Sequence, residues 1–201
     1  MGLDATGDDR MHLLTVCHPS PTSLCARVTD LIATTLAARQ QAIAVDHLGE
    51  LGFDPVLSRQ ELDTYLDESI PADIVALVGR LRSAEHLIFV FPVWMYDMPA
   101  LLKGYFDRVW RPHVSFSMEG DRITALLTGV RRLSVIATHG RNKASTDHSG
   151  DSSRLFFSQS LPSVLPNLEQ NTRFDLYGLD AADSAEIRYE LARIRQHFEV
   201  A

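Results

Sequence analysis

The polar and apolar positions of this chain fall into two alternating rhythms. Short, mainly apolar runs stand at HLLTV (12 to 16), AIAVDHL (42 to 48), HLIFVF (86 to 91), RLSVIAT (132 to 138) and TRFDLYG (172 to 178). Runs of this length with little in-and-out alternation suit strands buried on both faces of a parallel sheet. Between them, apolar residues recur every three or four positions. Leu24, Val28, Leu31, Ile32 and Leu36 form one such stripe, entered through Ser23, a residue type that caps helix N-termini. Pro71 is expected to open a helix carrying Ile74, Leu77, Val78 and Leu81, and Pro99 a helix carrying Leu101, Leu102, Tyr105, Phe106 and Val109. Residues 49 to 70 are mixed, with a short helix expected around Arg59 to Leu66. A further helix is expected near 153 to 165, after a long polar loop, HGRNKASTDHSGDSS, from 139 to 153. The last helix is expected behind a capping box of Asp183 and Glu186, with Ile187, Leu191, Ile194 and Phe198 on one stripe.

Five strands alternating with helices give the pattern of an α/β fold with a doubly wound, five-stranded parallel sheet and helices on both faces. Residues 12 to 201 are expected to form one domain, with residues 1 to 11 as a flexible arm outside it.

Composition narrows the partners rather than the fold. The chain has 201 residues, 45% hydrophobic and 22% charged, the balance of an ordinary globular domain. Its net charge of −7 argues against nucleic acid, which needs a basic face. No apolar run approaches the roughly 20 residues of a membrane span, and MGLDATGDDRM lacks the basic start and apolar core of a secretory leader. A cytoplasmic protein is the expectation. Cys17 and Cys25 are spaced neither as a redox pair nor as a zinc knuckle, and the histidines have no metal-ligand spacing, so no metal is expected.

In an open parallel sheet the ligand lies beyond the carboxyl ends of the strands, which nominates three loops. HPSPTS, 18 to 23, brings hydroxyls and free backbone N–H groups to a helix start, where a phosphate fits as well as simple capping does. Neither a dinucleotide fingerprint nor a nucleoside-triphosphate loop is present. FPVWMYDMP, 91 to 99, puts Trp94, Met95 and Tyr96 into a segment stiffened by Pro92 and Pro99, a surface suited to a flat apolar guest. THGRNKASTDHSGD, 138 to 151, offers Gly140 for close backbone approach and His139 and His148 as proton donors near neutral pH.

Together, HPSPTSLCARV (18 to 28), FVFPVWMYDMPALLKGYFDRVW (89 to 110) and ATHG (137 to 140) resemble the flavodoxin-like NAD(P)H:quinone oxidoreductase family, which includes drug-activity modulators and potassium-efflux ancillary subunits. The middle segment is the most specific. The family pattern P-L-W-W-F-G-M-P-A-I-L-K-G-W-x-D-R-V is matched at Pro92, Trp94, Met98, Pro99, Ala100, Leu102, Lys103, Gly104, Asp107, Arg108 and Val109.

The resemblance implies a flavin, FAD or alternatively FMN, with NAD(P)H as co-substrate, a quinone as acceptor, ping-pong hydride transfer and a homodimer. It implies that His18, Thr22, Ser23, Leu24 and Cys25 hold the phosphates. Pro92, Val93, Trp94, Met95 and Tyr96 would lie along the ring, and Thr138, His139, Gly140 and Arg141 would meet its pyrimidine end. Trp94, Tyr96 and Phe116 would bind substrate, His148 and His139 would serve proton transfer, and Arg141 or Lys143 would hold a phosphate of the nicotinamide cofactor. Leu24 and Cys25 stand where the family has an aromatic and an Asn, and Met95-Tyr96-Asp97 where it has Trp-Phe-Gly. Thr138-His139-Gly140-Arg141 replaces Thr-Thr-Gly-Gly, and the family's hydride-assisting Tyr has no match between 141 and 151. Alternative readings are a reductase of an azo, nitroaromatic or natural-product acceptor, a regulatory flavoprotein subunit of a membrane transporter, and a flavin-free module of the same fold.

Overall fold

A computed structural model describes residues 11–178 and 185–200. The expected N-terminal arm, up to residue 10, and the Asp183 half of the capping box lie outside them. Five parallel strands form the sheet in the order β2-β1-β3-β6-β7: β1 His12–Val16, β2 Ile43–His47, β3 His86–Pro92, β6 Arg132–His139 and β7 Gln170–Tyr177. A small antiparallel hairpin, β4 Phe116–Glu119 and β5 Arg122–Ala125, stands apart. The helices are α1 Leu24–Ala38, α2 Arg59–Asp63, α3 Val75–Ser83, α4 Ala100–Val109, α5 Lys143–Ser149, α6 Ser152–Leu155 and α7 Ala185–Val200.

The central strands read as continuous apolar runs because both of their faces are covered. Leu14, Ile88 and Ile136 point toward α1 and α7, where they pack on Val28, Ile32 and Ile194. Their neighbours Leu13, Phe89 and Val135 point the other way, toward Leu81 of α3 and Leu102 and Phe106 of α4. Ser23 caps α1, its hydroxyl accepting from the Ala26 N–H at 3.1 Å. Pro99 stands at the N-cap of α4, where its missing N–H costs nothing. After β2, on one flank of β1, the chain crosses to β3 on the other. The crevice of this reversal opens at the carboxyl ends of β1 and β3.

Three expectations need correction. The helix placed at Pro71 begins at Val75, behind a turn closed by the Ile74 N–H on the Pro71 carbonyl. The long loop after β6 contains α5, capped by Asn142, and α6, capped by Asp151. The expected helix near 153 to 165 is α6 followed by a π-helical stretch, Phe156–Ser160, and a short 3-10 turn, Pro162–Val164.

Gly104 of α4 lets the helix backbone lie against the 53 to 56 segment. A Cβ on it would stand 2.3 Å from both the Cβ and the carbonyl oxygen of Pro55, closer than any real contact. Gly104→Ala is therefore expected to push these segments apart and cost about 3 kcal/mol, read as a lower midpoint in urea denaturation.

The amino ends of the strands hold a buried polar chain. His12 Nε2 meets Gln41 Oε1 at 2.6 Å, His12 Nδ1 meets His86 Nδ1 at 3.0 Å, and His86 Nε2 meets the Ser134 hydroxyl at 2.9 Å. The same hydroxyl meets His197 Nε2 at 3.0 Å. Burial first, and then the charge of Arg132, hold the His197 imidazole below its ordinary range. The unfolded chain thus takes up this proton more readily than the folded one, and the contribution present above pH 6.5 is lost as the pH falls below it. The melting temperature is expected to drop on acidification from neutral pH, and His197→Gln is expected to flatten that drop.

Candidate functional site

The loop after β3 is a strained turn. Trp94 and Asp97 exchange both backbone hydrogen bonds, at 3.0 and 3.1 Å, which closes a two-residue hairpin with Met95 and Tyr96 at its tip. Both tip residues are left-handed, at φ 48° and 66°. A turn with both central residues at positive φ normally takes Asn-Gly, and a side chain there costs about 1–3 kcal/mol per residue. The strained backbone is held from both sides. The Val93 N–H donates to the Thr138 carbonyl at 2.8 Å, and the Ser152 N–H at the start of α6 donates to the Tyr96 carbonyl at 2.8 Å. Trp94, Met95 and Tyr96 remain 49%, 88% and 43% exposed. The fold thus spends strain to present apolar side chains at the surface.

Beside this turn is a cavity of about 330 Å³, lined by Pro92 to Tyr96 on one side and Thr138 to Arg141 on the other, with Thr146 and Gly150 at its edge. The backbone N–H groups of Met95, Tyr96, Gly140 and Arg141 have no acceptor among the described residues. An apolar wall facing a row of free donors fits a planar ring with a polar edge. At the neighbouring start of α1, the Leu24 and Cys25 N–H groups are likewise without an acceptor, and the first turn carries no acidic residue. The Ser20 and Thr22 hydroxyls lie 3.1 Å apart there, and the His18 ring stands 5.8 Å from that of Trp94. Cys25 Sγ lies 3.4 Å from Thr138 Oγ1, which ties this helix start to the cavity.

The Ser20 N–H donates to His18 Nδ1 at 3.0 Å, and burial holds this imidazole below its ordinary range. His18 is therefore neutral at pH 7 and offers one N–H rather than a charge. Burial also pushes the Cys17 thiol up to about 12 and the Cys25 thiol to about 11, so neither is a nucleophile.

His139 is not the open proton donor its loop suggested. Its buried ring stacks on Tyr177 at 4.6 Å, and its Nε2 lies 2.9 Å from Asp175 Oδ1. Asp175 also meets Arg173 Nε at 3.0 Å and Arg154 Nη2 at 3.2 Å, while Arg173 reaches Asp151 at 2.7 Å. Burial opposes ionisation of Asp175, but the His139 hydrogen bond and the charges of Arg173 and Arg154 outweigh it and hold the carboxyl below its usual range. His139, Asp151 and Asp175 place ligand-type atoms within 4.8 Å of one another, but both carboxylates already bind arginines, whose charge repels a metal ion. His139 and Asp175 stand 36 positions apart, and the pattern of the chain carries no signal for their pairing.

The other expected residues lie elsewhere. His148 is on the exposed side of α5, Lys143 is paired with Asp147 on the same helix, and Phe116 is half-buried in the hairpin. None of the three lines the cavity.

Comparison with known proteins follows the same geometry. The family model described as "Flavodoxin-like fold" matches residues 11–197. An uncharacterised NAD(P)H oxidoreductase, YcaK, of Escherichia coli K12 is 31% identical over 49% of this chain and 52% of its own. An uncharacterised NAD(P)H oxidoreductase of Haemophilus influenzae is 30% identical over 65% of each chain. The match thus spans between half and two thirds of these curated relatives. Among solved structures, an NAD(P)H:quinone oxidoreductase from Methanothermobacter marburgensis superimposes with a TM-score of 0.81 over 95% of this chain and 98% of its own, at 23% identity, a likeness of fold. Among the described residues, no helix is long and apolar enough to cross a membrane.

Proposed function

Because the chain belongs to the flavodoxin-like fold family, we propose that it is a flavin-dependent NAD(P)H oxidoreductase with a quinone as its acceptor. The observation that carries this reading is the strained Met95-Tyr96 turn, which walls a cavity rimmed by free backbone donors at the carboxyl ends of β3 and β6. Strain of this kind persists where a site needs it. The names of the relatives support the nicotinamide and the reductase chemistry. When bound, a flavin supplies two-electron hydride chemistry between NAD(P)H and an acceptor.

The residues of the chain do the rest. Trp94, Met95 and Tyr96 form a flat apolar wall that excludes water from one side of the cavity. The N–H groups of Gly140 and Arg141 provide fixed donors for negative charge at its opposite rim. The start of α1, with the Leu24 and Cys25 N–H groups and the Ser20 and Thr22 hydroxyls, provides the donors and positive helix end that hold a phosphate. NAD(P)H and the acceptor occupy the same place in turn, which is a ping-pong order. The flavin in this reading is FAD, with FMN the alternative, and a homodimer covers the exposed turn.

The test is steady-state oxidation of NADH and NADPH by flavin-loaded protein with a simple benzoquinone and, separately, an azo dye. Fast turnover with the quinone and parallel double-reciprocal plots support the proposal. Turnover with the dye alone would move the acceptor to another class, and no NAD(P)H oxidation by flavin-loaded protein would overturn it.

A further inference from the structure

Of the contacts that hold the strained turn, the one on Tyr96 itself comes from the Ser152 N–H, 2.8 Å from the Tyr96 carbonyl. Ser152 is the first residue of α6, whose four residues bury only Ser153. The first N–H groups of a helix have no partner within it, so such an end keeps its place through its cap. Here the cap is Asp151, which follows Gly150, a residue at φ 86° in the cavity lining.

Both oxygens of the Asp151 carboxylate are used, and the side chain is only 1% exposed. Oδ1 accepts from the Ser153 N–H at 3.0 Å and from the Ser153 hydroxyl at 2.6 Å. Oδ2 accepts from Arg173 Nη2 at 2.7 Å, and Arg154 Nε stands 3.5 Å from the same oxygen. A charge-assisted bond in such a setting is short and strong. Arg173 belongs to β7 and does not move freely, because its Nε donates to Asp175 Oδ1 on the same strand at 3.0 Å. Its Nη1 and Nη2 also reach the Ser153 hydroxyl, each at 3.3 Å. Asp151 and Ser153, the residues on either side of Ser152, are thus both tied to the sheet. The N–H between them is held in one place, under the Tyr96 carbonyl.

We propose that Asp151 is a positioning residue for the candidate site: held by Arg173, it fixes the start of α6 and, through the Ser152 N–H, keeps the Met95-Tyr96 turn in its left-handed form. A left-handed backbone at residues with side chains persists only where its surroundings over-determine it, and this chain of contacts runs from β7 to the strained residue itself. Tyr96 lines the cavity and Asp151 does not, so the carboxylate acts on a bound ring only through the turn. That last step rests on the flavin reading of the cavity; the hold on the turn does not.

The first experiment uses isotope-labelled, flavin-free protein. Nuclear magnetic resonance of the wild type is expected to show the scalar coupling that crosses the hydrogen bond from the Ser152 N–H to the Tyr96 carbonyl. It is also expected to show the short amide-to-Hα distance that a positive φ imposes on Tyr96. Asp151→Ala is expected to lose the coupling and lengthen that distance, while the amide signals of the sheet keep their positions. Asp151→Gly carries the same expectation at a smaller cost to the helix start, and takes its place if the alanine variant does not fold. A wild type without the coupling, or a turn that stays left-handed without the carboxylate, overturns the proposal.

The second experiment titrates the same proteins with FMN and with FAD. Loss of the carboxylate is expected to weaken flavin binding about tenfold, the scale of one lost helix cap, and to move the visible band of the bound flavin toward that of free flavin. Equal affinity and superimposable spectra overturn the proposal. If the wild type takes up neither flavin, the reading of the cavity fails, and the geometry of the turn in the flavin-free protein still decides whether Asp151 holds it.

Discussion

Replacing Glu61 by alanine is expected to destabilise the protein by about 3–5 kcal/mol, the usual result of leaving a buried ion pair half empty. Glu61 is buried on α2 between two arginines of the α4 region. Its Oε2 accepts from Arg108 Nε at 2.8 Å, and its Oε1 stands 3.6 Å from Arg111 Nη1, a charge contact rather than a hydrogen bond. Arg111 is fully buried and Arg108 nearly so. Without the carboxylate, Arg108 keeps the Asp54 carbonyl and the half-exposed Asp73, but among the described residues Arg111 keeps only the Thr64 and Tyr65 carbonyls. Their rings, Phe53 under Arg108 and Tyr65 under Arg111, cannot replace a full negative charge. Since domains of this size are stable by only about 5–15 kcal/mol, the loss is a large share of the total. The effect reaches the site, because α4 begins directly behind the strained turn. Urea denaturation measures it. Glu61→Gln, which keeps one acceptor for Arg108, should lose less than Glu61→Ala, and an alanine variant as stable as the wild type would show that the two guanidinium groups find other partners.

The second large effect has opposite signs in two measurements. Changing Met95-Tyr96 to Asn-Gly gives the turn the residues its backbone prefers and is expected to raise stability by about 1–3 kcal/mol. The hydrogen bonds that hold the turn are main-chain bonds and survive the change. The same variant loses the apolar wall of the cavity. Stacking on an aromatic side chain contributes about 1–3 kcal/mol to binding a planar ring, so flavin affinity is expected to fall by about tenfold to a hundredfold. A higher melting temperature combined with weaker flavin binding is the signature of strain retained for a ligand. A variant that gains stability and keeps its flavin would place the ring somewhere other than against this turn.

The contrast between these two sites shows what a sequence carries. Strands β1, β3 and β6 were legible because burial on both faces leaves an unbroken apolar run, and α1 and α4 because Ser23 and Pro99 mark their starts locally. The two loops that line the cavity were legible from their place after strand ends and from the resemblance at 89 to 110. The turn itself was not, since Met-Tyr carries none of the turn chemistry of Asn-Gly, and only the backbone reveals its strain. The short hairpin escaped because its residues are half-buried or exposed and show no buried face, although Gly120, at φ 60°, marks its tip. Helix α5 escaped because only Thr146 on it is buried, which leaves no apolar stripe to read. The pairings of Glu61 with Arg108 and of His139 with Asp175 join residues 47 and 36 positions apart, and such partners are set by the sheet order rather than by any local pattern.

The most direct test of the account is a titration of the purified protein with FMN and with FAD, each followed by visible absorbance and by the mass of the chromophore released on heating. The expected result is uptake of one flavin per chain with a perturbed visible band, strongest for FAD, and loss of most of that uptake in the Asn-Gly turn variant. A folded wild-type protein that takes up neither flavin would contradict it.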